Sequence, residues 1–178
     1  MQKTLIITLS ISIAAAAACA HGVSRLVVAI VYDRDVDAHL KLAADSNSME
    51  LAEQQLSIAI DNLEDRGTMR YAEQDCFTSV LYDTPDEDVC FWLTNLNGAR
   101  DSLLAMQESG PVDDLTESNQ LIKIRETLLD HSQSGDSVTS PSGIHLYPNN
   151  AAWAAWGWLA WLAAIGLGVT VYVRAMMD

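Results

Sequence analysis

Basic residues are scarce in this chain. It carries 10 Lys and Arg against 24 Asp and Glu over 178 residues, a formal net charge of −14. That excludes a nucleic-acid binder in the usual sense, because phosphate contacts need clustered cations. Only three cysteines are present, too few for a disulfide-dense scaffold. There is no CxxC pair and no P-loop, GxGxxG, GxSxG or HExxH motif, and the histidines at 21, 39, 131 and 145 show no metal-ligand spacing. Each of those motifs places a nucleophile, a phosphate cradle or a metal. Without them the chain reads as non-catalytic and free of cofactors.

Apolar residues, at 49%, are plentiful but crowd into both ends. Ala151–Val173 holds 23 residues without a charge, enough to cross a hydrocarbon core of about 30 Å at about 1.5 Å per residue. Trp153 and Trp156 near its start and Tyr172 near its end suit the headgroup level. Arg174 follows at once, which places residues 174–178 in the cytoplasm by the positive-inside rule. Trp161 lies deeper, where an indole packs rather than anchors. Ala160, Ala164 and Gly168 recur every four residues and share one helix face. Small residues at that spacing let a second helix approach closely, either another copy of the chain or the N-terminal segment.

Lys3 precedes the apolar run Thr4–Ala20, and Ala18-Cys19-Ala20 offers small residues before His21. Three fates fit residues 1–32: a signal peptide cleaved after Ala20, an uncleaved signal anchor extended by Leu26–Tyr32, or acylation at Cys19. The last lacks the Leu usual three residues before a lipidated Cys. His21 and Arg25 between the apolar runs count against one long buried helix, unless both snorkel to an interface. All three fates send the middle of the chain out of the cytoplasm.

Between Asp33 and Asn149 there are 23 acidic and 7 basic residues, so the acidity belongs to this region. Apolar residues recur there at helical spacing. Val36, Leu40 and Ala43 begin one stripe, and Met49, Ala52, Leu56, Ile60 and Leu63 continue it. Asp45–Ser48 marks either a break, with Asn47 and Glu50 as a capping box, or an exposed strip on one long helix. Met69, Ala72, Cys76 and Val80 give the next face. Thr84-Pro85-Asp86-Glu87 then opens a helix whose stripe is Val89, Leu93, Leu96, Arg100, Leu103 and Gln107, stopped by Gly110-Pro111. A last helix starts at Asp114, carries Leu121, Ile124 and Leu128, and should end near His131. These elements predict an all-α membrane protein with an antiparallel, four-helix extracytoplasmic bundle over residues 33–131. Residues 132–150, rich in Ser, Gly and Asp, are expected to form a flexible tether, followed by the transmembrane helix 151–173.

Cys76 and Cys90 flank the turn near Asp83 at similar distances. They are expected to bridge neighbouring antiparallel helices, closing a loop worth about 3 kcal/mol. The cluster Asp83, Asp86, Glu87 and Asp88 is the candidate for a divalent cation, although carboxylates also suit the first turn of a helix. Asp33, Asp35 and Asp37 start like a calcium loop, but Ala38 stands where Gly is needed and Ala44 where Glu is needed.

The expected function is a membrane-anchored interaction module, such as an accessory subunit of a membrane complex, that meets a protein partner or a second copy through the bundle or the C-terminal span. In layout alone, span, helical bundle and span, the chain resembles the ligand-binding portion of bacterial chemoreceptors. Only four residues follow Arg174, so a signal would pass through a partner. With Cys19 lipidated, the plan is instead similar to that of single-chain phage spanins, which bridge two membranes.

The cysteine spacing makes a direct prediction. Intact mass of the membrane-extracted protein should rise by the mass of two hydrogens on reduction. An unchanged mass would place Cys76 and Cys90 on helices that do not meet.

Overall fold

Nothing in the first 44 residues forces a helix to stop: there is no proline, and only Gly22 is conformationally loose. Helix α1 accordingly spans Gln2–Tyr32 in the computed structural model, which describes residues 2–68, 86–132 and 135–177. Where the charges begin it passes through one π-helical turn, Asp33–Asp37, straight into α2, Ala38–Ala44. Residues 2–44 thus make one helical run of roughly 65 Å at about 1.5 Å per residue. His21 and Arg25 lie within this run, since a polar side chain leaves the backbone ladder intact.

The chain does break at Asp45–Ser48. Ser48 turns extended (φ −141°, ψ 149°) and its side chain accepts a hydrogen bond from the Leu51 N–H at 3.3 Å, so Ser48 rather than Asn47 caps α3, Met49–Asp65. A second free N–H at this end, that of Met49, donates to Glu117 Oε1 at 3.2 Å. Two of the four orphan donors of the helix are satisfied, one locally and one from across the fold. Gly67, at φ 77°, follows α3 with a left-handed turn. The helix expected over Met69, Ala72, Cys76 and Val80 lies outside the described residues, so the four-helix arrangement itself remains an expectation.

Helix α4, Asp86–Glu108, buries Val89, Trp92, Leu93, Leu96, Ala99 and Leu103. Arg100 is half-buried and Gln107 exposed, so the two polar members of the expected stripe sit at its margin. Helix α5 spans Asp114–Leu128, capped by Asp113, whose carboxylate accepts from the Thr116 N–H at 3.1 Å and the Thr116 hydroxyl at 2.6 Å. Those two bonds hold the Asp113 carboxyl below the usual carboxylate range.

Helix α5 ends earlier than the expected His131. Leu129 swings to an extended conformation (φ −118°, ψ 137°) and opens strand β1, Leu129–Ser132. Strand β2, Gly135–Val138, pairs with it antiparallel, Leu129 opposite Val138. A 3₁₀ turn, Ile144–Leu146, leads to α6, Asn150–Met177. The stretch expected as a flexible tether therefore carries a hairpin and a docked turn. Its composition masks three apolar side chains, Ile144, Leu146 and Tyr147, all less than 9% exposed. Arg125 ties the hairpin down through Asp136 at 3.0 Å and reaches Asp45 at 3.6 Å.

One apolar cluster joins these pieces. Tyr32, Val36, Leu40 and Ala43 from the long helical run meet Leu56, Ile60 and Leu63 of α3, Leu96 and Leu103 of α4, Ile124 and Leu128 of α5, and Ile144 and Tyr147 of the final connection. The fold is mostly helical, and two of its helices are long and apolar enough to cross a membrane. Since Leu56 is fully buried and Leu115 is 70% exposed, Leu56→Ala should cost about 2–5 kcal/mol and Leu115→Ala under about 0.5 kcal/mol. Denaturant melts of the full chain in detergent, followed by circular dichroism, check this; equal losses would misplace the core.

Candidate functional site: the paired helices and their junction with the body

The two long helices pack against each other antiparallel. Along α6 the residues described as not exposed are Asn150, Trp153, Gly157, Ala160, Ala164, Leu167, Val171 and Arg174, at spacings alternating between three and four. The matching positions on α1 are Ala14, Ala17, Ala18, His21, Ser24 and Val28. This is the 3.5-residue period of a shallow, left-handed helix pair. Ala160 is buried at 7% exposure, Ala164 is half-buried and Gly168 is exposed. A strict four-residue step drifts off the contact line as the helix advances, so Leu167 occupies the seam where Gly168 was expected. The partner of this face is the chain's own N-terminal helix.

Register is set by His21. A Cβ placed on Gly157 would lie 3.0 Å from His21 Nε2, so a larger residue there would push the imidazole aside by a few tenths of an ångström. Two turns away on each helix Ala14 falls level with Ala164, and one turn away on the other side Arg25 falls level with Trp153. The His21 ring lies edge-on to Trp156 at 4.9 Å and 5.8 Å from Trp153, and the two indoles stack at 5.6 Å. His21 Nδ1 is buried with no hydrogen-bond partner. Beside this group a pocket of about 570 Å³ opens between the helices, walled by Trp158 and Trp161 and reached by Arg25.

Where the long helical run meets the body, the π-helical turn widens the backbone spiral. Asn62 of α3 reaches into it, donating to the Asp35 carbonyl at 2.8 Å and to its own Ile58 carbonyl at 2.9 Å. Arg66, just past α3, lies over the Tyr32 ring at 5.4 Å and approaches Asp35 at 3.6 Å. One cation thus holds both sides of the turn by a cation–π contact and an ion pair. Tyr32 Oη and Asp37 Oδ1 are both buried without a hydrogen-bond partner. Burial, reinforced by the nearby Asp33 charge, pushes the Asp37 carboxyl up to about 6.

Cys19 is an exposed free thiol on α1, Cys90 is buried at 9% exposure, and Cys76 lies outside the described residues. Asp83 lies outside them too; Asp86 and Glu87 begin the backbone of α4, and Asp88 is exposed. Among the described residues no group of three His, Cys, Asp or Glu side chains could hold a metal. Tyr172 lies within the last turns of α6 and Arg174 is half-buried on the seam. Gly157 and Arg66 went unremarked in the sequence, while His21 stood out only as a polar residue between apolar runs and Asp37 only as part of an incomplete calcium-loop pattern.

Comparison with protein-family models, with curated proteins and with solved structures returns no match.

Asp37 supplies a pH test. A carboxyl raised in the folded state favours folding while it is protonated, so its contribution is full below about 4, the unfolded value, and is lost as pH rises through about 6. Asp37→Asn should therefore raise the melting temperature more at pH 8 than at pH 4. A gain equal at both pH values would show that Asp37 ionises normally in the fold.

Proposed function

We propose that the chain is a non-catalytic, membrane-anchored interaction module, held by two spans, that presents its acidic body to a basic protein partner outside the cytoplasm. The observation that carries this is the unbroken helical run of residues 2–44. Its lower part is apolar and its upper part is built into the core, so the body cannot turn independently of the helix pair. The second connection is docked as well, through Ile144 and Tyr147. A body held at two points suits presentation of a fixed surface. It suits the long reach of a membrane-bridging protein less well.

Charge placement supports the sidedness. The His21–Gly157 register puts Lys3 and Arg174 near one end of the helix pair, and basic flanks favour the cytoplasm. From Arg174 to Trp153 is roughly 32 Å along the helix, close to the thickness of a hydrocarbon core. Beyond it lies the body, with 23 acidic and 7 basic residues between Asp33 and Asn149, a surface that steers a cationic partner by its field. The bundle spanning residues 33–131 and the Cys76–Cys90 bridge belong to this proposal. Both are supported by the burial of Cys90 beside Val89 and Trp92 at the start of α4.

Light scattering of the gently solubilised full chain tests it. At low ionic strength the chain should run in a complex larger than one copy, and that complex should fall apart near 1 M salt, where the screening length is about 3 Å. A single copy at every salt concentration would refute a partner. A large complex insensitive to salt would place the association in the spans instead of on the acidic surface.

A further inference from the structure

The pocket between α1 and α6 has features that neither membrane crossing nor helix pairing requires. Its volume, about 570 Å³, falls within the range of small-molecule sites, roughly 300–1,000 Å³. Small residues make the space: Gly22 on one helix, Ala154 and Gly157 on the other. Large ones wall it, with Trp158 and Trp161 at 70% and 66% exposure along its flank. Two polar groups stand at the pocket. Arg25 forms no ion pair among the described residues, in a chain where acids outnumber bases by more than two to one. His21 brings the buried Nδ1 that has no partner.

Depth identifies the occupant. Arg25 is level with Trp153, at the end of the helix pair nearest the body, and His21 lies about 6 Å deeper at about 1.5 Å per residue. A cation at the headgroup plane above a Trp-lined cleft matches a molecule with an anionic head and an apolar continuation. The unbonded His21 ring nitrogen below the headgroup plane is costly, because hydrocarbon offers no partner, while the exposed Arg25 guanidinium above it stands open to an anionic head. A phosphodiester can accept two hydrogen bonds from one guanidinium, and indole faces can cover the glycerol and first methylenes beneath it.

We propose that this pocket holds one anionic phospholipid from the leaflet on the side of the body, its phosphate on Arg25 and its upper acyl chain along Trp158 and Trp161. The site rests on the membrane-spanning arrangement proposed above. It makes the lipid a third element of the helix pair, filling the space that Gly22, Ala154 and Gly157 leave.

Two measurements on the full chain separate the site from the arrangement it rests on. Flotation with phosphatidylglycerol-containing vesicles reads membrane insertion; a chain that stays at the bottom of the gradient overturns both ideas. Native mass spectrometry of the detergent-solubilised chain, titrated with phosphatidylglycerol or phosphatidylcholine, reads the pocket. One phosphatidylglycerol should stay bound, with phosphatidylcholine held more weakly. Arg25→Gln should weaken phosphatidylglycerol retention about tenfold, the effect of one charge-assisted contact. Ala154→Leu, at an exposed position off the helix seam, should abolish retention by filling the space while helicity and flotation stay unchanged. A chain that floats but holds both lipids alike, with neither variant altering retention, would overturn the site and leave the spans standing.

Discussion

The structure depends on one helix serving two environments. Over residues 2–32 the run is apolar on nearly all sides, and over 33–44 it keeps a single buried stripe of Val36, Leu40, Ala43 and Ala44. A helix bonds its backbone internally and can therefore pass from one medium to the other without exposing orphan polar groups. Only its side-chain pattern must change. The change falls at the π-helical turn Asp33–Asp37, where the phase of the helix shifts and Tyr32 and Val36 both face the core. Arg66 and Asn62 secure that turn from α3, so the angle at which the helix enters the body is set by tertiary contacts.

The remaining architecture follows from this anchor. Helix α3 packs along the upper part of the run, and its free N-terminus is closed by Glu117 of α5, which links the first and last helices of the body. Arg125 on the same helix ties Asp136 of the hairpin and approaches Asp45, just past the end of α2. These exposed ion pairs add little energy individually, yet they tie two breaks in the chain to α5. The burial of Ile144 and Tyr147 then brings α6 down beside α1. There Gly157 lets His21 approach, and the small residues of both helices close the seam.

Electrostatics divides the molecule in the same place. Acidic side chains crowd the body, and the few cations outside it, Lys3, Arg25 and Arg174, all stand on the two long helices. Burial of Asp37 at the boundary makes its ionisation respond to the packing around it, and Asp33, on the same turn, adds to the effect.

Much of this was legible in the residues alone. The two apolar segments, the stripes of α3 and α4, and the start of α5 follow from periodicity and capping chemistry, which are local. The docked stretch before α6 was not legible, because Ile144, Leu146 and Tyr147 are too few to show a period and the surrounding Ser, Gly and Asp dominate composition. The cap of α3 was placed one residue early, since Asn47 and Ser48 are both competent and only the backbone angles choose between them. The candidate site was almost wholly hidden. His21 and Arg25 look like interruptions in an apolar run until a second helix is set beside them. Sequence by itself determined which segments are helical, which are apolar enough for a membrane and where the charge lies, because those properties belong to neighbours in the chain. The choice of α1 over a second copy as the partner of α6, the wide turn clamped by Arg66 and the Trp-walled pocket were decided by tertiary structure, because each brings together residues far apart in sequence whose contact no local pattern encodes.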